Sequence, residues 1–322
     1  MSSSLRILHV TPYYEQAWSY GGIPRVVTAL SRAQMVAGHQ VSVWTTDVAT
    51  SSTRARRTVG GFSHGVRVAV SRNLSNTLAF HQQLFVPMTG WRTLHEFVVA
   101  NQIIHIHGHR HLPGAAAALM CRRHGLPYVV QPNGTATLIE RRLWRKRFVD
   151  SLGARNVLQS AALCLAVSQW ELERLVELGL SRSKLTVVAN PVFLEDTTGK
   201  DLSGFLPAPN GEEVRLVYLG QATPRKNLDT LIRALALVKR PARLFLAGPE
   251  GRAATELLRL AQRHSVAKRL VMLGVVSGDQ RRRLLSDCDI ACYVTRDEAF
   301  GLVPFEAILC GTPVLVGADA GS

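Results

Sequence analysis

Short runs of β-branched and aliphatic residues recur along this chain, and each is followed by a segment of helical periodicity. In the first half, strands read at Leu5–Thr11, Val41–Thr46, near Val66–Val70, and at Ile103–His107, Tyr128–Gln131, Leu163–Val167 and Leu185–Ala189. Helical stretches fall at Ile23–Gly38, 113–124, 138–150, 152–162 and 169–178. Residues 195–213 break the pattern with Thr-Thr-Gly-Lys, Gly204, Pro207, Pro209 and Asn210-Gly211. The alternation then restarts, with strands at Val214–Leu219, Arg243–Ala247, Leu270–Leu273, Ile290–Val294 and Pro313–Val316 and helices at 227–238, 252–264, 278–286 and 303–310. Such alternation predicts an α/β chain with parallel sheets covered by helices on both faces. Two runs predict two doubly wound domains, 1–196 and 214–322, joined by a linker at 197–213 and facing each other across a cleft. Ligands are then expected at the carboxyl ends of the strands.

Charge narrows the partners. The net charge is +15, but residues 1–196 hold 21 Lys and Arg against 10 Asp and Glu, so the first half carries most of it. Anionic partners follow: nucleic acid, phospholipid headgroups or phosphate-bearing small molecules. Aromatic residues are only 7% and are not interleaved with basic runs, which argues against nucleic acid. Arg141, Arg142, Arg145, Lys146 and Arg147 lie among Leu138, Ile139, Leu143, Trp144 and Phe148. Segment 141–147 reads either as a contact with an anionic membrane surface or as a solvated basic helix. No apolar run reaches the roughly 18 residues of a membrane span. The start, Met1-Ser-Ser-Ser-Leu-Arg, has no cleavage-type signal. Five cysteines, an odd number without a CxxC spacing, fit a reducing compartment. A cytoplasmic protein is expected, and the membrane reading of 141–147 would make it peripheral on the inner face of the plasma membrane.

Gly21-Gly22 precede a helix, an arrangement that suits an anion or only a turn. His105, His107, His109 and His111 alternate at a strand end. Gly108 and Pro113 interrupt the array and no carboxylate follows closely, which counts against a metal. The histidines otherwise line the cleft or only hydrogen-bond. The richest signal comes later. Leu219-Gly220 ends a strand, and Arg225-Lys226-Asn227 opens a helix, placing two cations where a diphosphate would bind. Asp297-Glu298-Ala299-Phe300-Gly301-Leu302 and Phe305-Glu306-Ala307 follow, then Cys310-Gly311-Thr312-Pro313. With a helix beginning near Pro304, Glu298 sits in the loop before it and Glu306 in its first turn, both facing one cleft. Carboxylates hold sugar hydroxyls, and the amides of Phe300, Gly301 and Leu302 can hold phosphate or sugar oxygens.

At these residues the sequence resembles a family 4 retaining glycosyltransferase (glycosyl transferases group 1) of the GT-B fold, two Rossmann-like domains, over essentially the whole chain. Gly21-Gly22, His105-Ile-His107, Ser168 with Glu171, Asn190-Pro191, Arg225-Lys226 and Glu298-x7-Glu306 fall in the family's order. The resemblance implies transfer of a sugar from a nucleotide-diphosphate sugar to a glycan or lipid-linked acceptor with retention of configuration. It places the donor on the second domain, the acceptor on the first, and implies no cofactor and no divalent metal. Lys226 resembles the lysine on the diphosphate, Glu298 the glutamate at the donor sugar, Glu306 the one at the ribose, and Gly22 the glycine of the loop closing on the diphosphate. Gly220 and Gln221 fall on the donor side, and His107 and Asn133 on the acceptor or sugar side. Gln221 stands where the family commonly has arginine, so one cation is missing unless Arg225 substitutes. Asn133 stands where it often has histidine. The chain stops at Ser322, before the further strand–helix units usual in the family, so an incomplete second domain is expected. Two other readings stay open: a catalytically impaired sugar-nucleotide binder, and a sugar-nucleotide epimerase of the same architecture.

Overall fold

A computed structural model describes residues 4–56, 61–136, 155–193, 205–208, 211–248, 250–276, 278–318 and 321. The chain divides into two units, Met1–Pro191 and Val192–Ser322. Both are Rossmann-like.

The first unit is built on strands β1 (Arg6–Val10), β2 (Gln40–Thr46), β3 (Phe62–Ser63), β4 (Val66–Ser71), β5 (Ile103–His107), β6 (Tyr128–Gln131), β7 (Leu163–Ala166) and β8 (Leu185–Val187). They stand in the order β3-β4-β2-β1-β5-β6-β7-β8, all parallel except β3. Parallel strands need crossovers, and the helices supply them. These are α1 (Gly22–Val36), α2 (Asn76–Gln82), α3 (Trp91–Ala100), α4 (Leu112–Arg123), α5 (Arg155–Gln159) and α6 (Gln169–Glu177). Helices α2 and α3 and the short β3 stand where the sequence predicts no element. α3 carries Leu94, Phe97 and Val98 on one face, all buried in the core with Trp44, Ile104 and Ile106. This is the spacing of an amphipathic helix. The predicted helix at 138–150 and the basic segment 141–147 lie outside the described residues. Among the described residues no helix is long and apolar enough to cross a membrane.

The second unit has β9 (Val214–Leu219), β10 (Ala242–Ala247), β11 (Leu270–Gly274), β12 (Ile290–Tyr293) and β13 (Val314–Val316) in the order β11-β10-β9-β12-β13, all parallel. Helices α7 (Leu228–Leu237), α8 (Gly251–Arg263), α9 (Gly278–Ser286) and α10 (Leu302–Leu309) connect them. Leu244, Phe245, Leu246 and Ala247 are fully buried in sequence, as expected for a central strand covered on both faces. The predicted linker at 197–213 lies partly outside the described residues. The rest of it is not all connection: Leu206 packs against Val217, Leu219 and Phe245, so an apolar residue in a Pro- and Gly-rich stretch belongs to the second core.

Strand order fixes where each unit can bind a ligand. Outward from β9, the chain runs to β10 and β11 on one side and to β12 and β13 on the other. The loops after β9 and β12 therefore diverge to opposite faces and leave a crevice at the carboxyl edge. The same switch in the first unit falls between β1 and β5.

Candidate functional site

The crevice between the ends of β9 and β12 is filled by chemistry. After β9, Pro224–Lys226 forms a 3-10 turn ahead of α7. After β12, the loop to α10 carries Glu298. The backbone stitches the two loops together: Arg296 N donates to Arg225 O at 2.9 Å, and an Arg225 guanidinium nitrogen donates to Asp297 O at 3.2 Å. Lys226 Nζ then donates to Glu298 Oε2 at 2.6 Å and to Tyr293 Oη at 3.0 Å. Tyr293 Oη donates to the same Oε2 at 3.0 Å, and Arg225 lies 3.8 Å from Glu298 Oε1. The side chains of Lys226 and Glu298 are 14% and 15% exposed, so the pair is largely withdrawn from water yet reachable. Burial pushes the Glu298 carboxyl up, but Lys226 and then Arg225, with the Lys226 and Tyr293 hydrogen bonds, outweigh it and hold it below its ordinary value.

Gly301 caps α10 with φ +72, and no side chain caps that helix start. A Cβ there would meet the Tyr293 ring at 2.6 Å, so the turn and the tyrosine fit only because the residue is glycine. The amides at the start of α10, including that of Leu302, have no side-chain cap and suit an anion or a sugar oxygen. Phe300 is buried and stacks on Phe305 with ring centroids 4.7 Å apart. Gly220 N donates to Ala247 O at 2.9 Å, and Gln221, itself exposed, accepts from the buried Tyr218 hydroxyl on its carbonyl at 2.8 Å.

Glu306 departs from expectation. Helix α10 begins at Leu302 rather than near Pro304, so Glu306 is its fifth residue, two positions further in. Its buried carboxylate is paired with Arg281 of α9, whose Nε donates to Oε2 at 2.9 Å and whose Nη2 also contacts it. The structure thus brings together Lys226, Arg225 and Glu298, and joins Glu306 to Arg281 instead. Arg281, Tyr218 and Tyr293 were not singled out in the sequence, because only the strand order places them beside the motif residues.

In the first unit, Gly22 is the first residue of α1, and Gly21 caps that helix with no side-chain hydrogen bond. His107 does not line a cleft. It is fully buried, because its strand position faces the interior beside His9. With the Gln34 side-chain Oε1 2.7 Å away as acceptor, His9 Nε2 carries the proton, and His9 Nδ1 accepts from His107 Nε2 at 2.8 Å. Desolvation lowers His9 to about 4 and drives His105 and His107 well below the ordinary value, so the stack is neutral. Nitrogens of His9, His105 and His107 lie within 4.8 Å of one another, but among the described residues no carboxylate or thiolate joins them to offset a cation's charge at full burial. This donor set suits a hydrogen-bonded prop. His111 instead caps α4, its Nδ1 accepting from Gly114 N at 3.0 Å. Asn133 sits in the left-handed region at φ +54 in the turn after β6, with its Oδ1 buried and unpartnered.

That turn is anchored by Glu171, buried in α6, which accepts from Gly134 N and from Val167 N at 2.8 Å. Burial outweighs these bonds and raises its carboxyl from 4.5 to about 7. Between those values the folded chain holds a proton that the unfolded chain has released. Stability is therefore lost as pH rises through the window, by on the order of 3 kcal/mol. Urea unfolding at about pH 5 and about pH 7.5 should show this loss in the wild type and not in Glu171→Gln. A pH-independent difference between the two proteins would assign the titration elsewhere.

The chain matches Glycosyltransferase Family 4 over residues 20–196 and Glycosyl transferases group 1 over residues 205–322. The chain belongs to glycosyltransferase family 4. It is 27% identical over 233 residues to D-inositol 3-phosphate glycosyltransferase of Mycolicibacterium gilvum, covering 67% of this chain and 51% of that protein. It is 29% identical over 235 residues to the protein of the same name from Stackebrandtia nassauensis, covering 67% and 53%. The chain thus spans about half the length of the curated relatives it matches. Among solved structures, Anabaena HepE in complex with UDP-glucose is similar at a TM-score of 0.70 with 20% identity, covering 98% of this chain and 81% of that one. WaaG, a glycosyltransferase involved in lipopolysaccharide biosynthesis, is similar at 0.66 with 16% identity, covering 98% and 82%. At these identities the likeness is one of fold, the GT-B glycosyltransferase fold.

Proposed function

We propose that the chain transfers a sugar from a nucleotide-diphosphate sugar to a glycan or lipid-linked acceptor, with retention of configuration. The observation that carries this reading is the Lys226–Glu298–Arg225 cluster at the strand-order switch of the second unit. Two cations and an uncapped helix start suit a diphosphate, and a carboxylate suits the hydroxyls of the attached sugar. HepE, which shares the fold, was solved with UDP-glucose. The acceptor hydroxyl attacks the anomeric carbon on the face the diphosphate leaves. Its oxygen bonds to that carbon, the carbon–oxygen bond to the phosphate breaks, and the hydroxyl proton passes to the departing phosphate oxygen. Lys226 and Arg225 offset the charge that develops there, the role a divalent ion plays elsewhere. Glu306, steadied by Arg281, is assigned to the ribose, and Asn133 to the sugar side of the first unit. A cytoplasmic setting fits the five cysteines, all free thiols.

Turnover of a panel of nucleotide sugars by the wild type and by Glu298→Ala tests the assignment. A loss of about 100-fold or more is expected in the variant, the scale of one preorganised active-site group. Equal rates would remove Glu298 from the reaction. Gln221, in place of a third cation, favours a second reading, a binder impaired in catalysis. Saturable nucleotide-sugar binding by the wild type, with neither hydrolysis nor transfer, would select it.

A further inference from the structure

The Lys226–Glu298 pair raises a difficulty for the reaction. The donor claims both side chains, the lysine at the diphosphate and the glutamate at the sugar, yet they neutralise each other across 2.6 Å. When the lysine turns to a phosphate oxygen, Glu298 loses its nearest donor in a site where it is mostly buried. A buried carboxylate stripped of its partner is costly and poorly fixed.

Tyr293 occupies the place where this loss can be met. Its hydroxyl lies 3.0 Å from both Lys226 Nζ and Glu298 Oε2, accepting from the first and donating to the second. A hydroxyl can do both at once, and its bond to the carboxylate survives when the lysine leaves. The ring packs against the bare α-carbon of Gly301, a contact that does not depend on Lys226. Tyr293 ends β12, so the hydroxyl stands on a sheet strand rather than on the loop it steadies. Burial and the neighbouring Glu298 raise the Tyr293 pKa, so the phenol keeps its proton and remains a donor.

We propose that Tyr293 is a positioning residue for transfer: its hydroxyl holds the Glu298 carboxylate in place while Lys226 passes to the donor diphosphate. The inference rests on the donor reading given above. It separates two steps. Binding of the donor draws on Lys226 and the nucleotide, whereas the hold on Glu298 matters when the sugar must be oriented for attack.

Steady-state kinetics of Tyr293→Phe, which keeps the ring and removes only the hydroxyl, provide the test. We expect kcat to fall about 10- to 100-fold, the worth of one hydrogen bond to a charged group, with the donor KM within about twofold of wild type. In a Glu298→Ala background the same substitution should change kcat by less than about twofold, because the group it positions is gone. An unchanged kcat in Tyr293→Phe would overturn the inference and leave the transferase reading intact. So would a fall that persists in full in the Glu298→Ala background, which would mark a packing effect. Wild-type protein that turns over no nucleotide sugar would overturn the transfer reading, and the inference with it.

Discussion

Replacing Lys226 by alanine should lower the rate of the proposed sugar transfer about 10²- to 10³-fold, the cost of removing one fixed donor from a developing anion. The effect is large because little stands behind this lysine. Arg225 is the nearest second cation, but it spends one donor on the Asp297 carbonyl and lies 3.8 Å from Glu298. Gln221, at the position following Gly220, carries no charge. The loss should appear in kcat and also raise the donor KM, since the diphosphate is present before and during reaction. A second consequence follows at Glu298. Lys226 is the largest of the groups that hold its carboxyl down against burial. Without the lysine the carboxyl titrates higher, and the residual activity should fall away at a higher pH than the wild-type activity. A pH–rate profile of the variant checks both the size of the loss and the direction of this shift.

Gly248→Ala should destabilise the second unit by about 3–5 kcal/mol, among the largest effects a single methyl group can have. Gly248 follows β10 at φ +114, a conformation that suits glycine. A Cβ there would fall 2.1 Å from the Gly220 carbonyl oxygen and 2.8 Å from its carbon. These are backbone atoms, so no side-chain rotation relieves the clash. The same turn joins three strand ends: Gly248 N donates to Gly274 O at 2.7 Å, and Gly220 N donates to Ala247 O. Forcing Gly220 away therefore moves the start of the loop that carries Arg225 and Lys226. Hydrogen exchange on β9, β10 and β11 reads the effect directly. Faster exchange there, with β1 and β5 unchanged, is the expected pattern. Full protection of β9–β11 in the variant would contradict the close approach.

The second sheet was legible because each of its strands is a short apolar run set off by helical periodicity. The read strands at Val214–Leu219, Arg243–Ala247 and Ile290–Val294 differ from the observed ones by a residue at most. Helix α3 was equally available, since Trp91, Leu94, Phe97 and Val98 keep the helical period. The site was legible only in part. The types and order of Arg225, Lys226 and Glu298 name the chemistry, and the strand order completes it. Tyr293 is an ordinary aromatic at a strand end until β12 is seen beside β9. Glu306 shows one limit of spacing arguments: they place it eight residues after Glu298 but do not give its partner, Arg281 of α9. His107 shows another limit. A histidine at the carboxyl end of a strand suggests a lining residue, but strand alternation puts it on the face of His105, buried against His9.

The central claim is that Lys226 and its neighbours hold the diphosphate of a sugar nucleotide. Calorimetric titration of a panel of nucleoside diphosphates and their sugar conjugates into the wild type and into Lys226→Ala tests it without requiring the acceptor. Saturable binding of at least one conjugate by the wild type is predicted, weakened by about tenfold or more in the variant, as for the loss of a charge-assisted bond. Equal affinity in the two proteins, or no binding by the wild type, would contradict it.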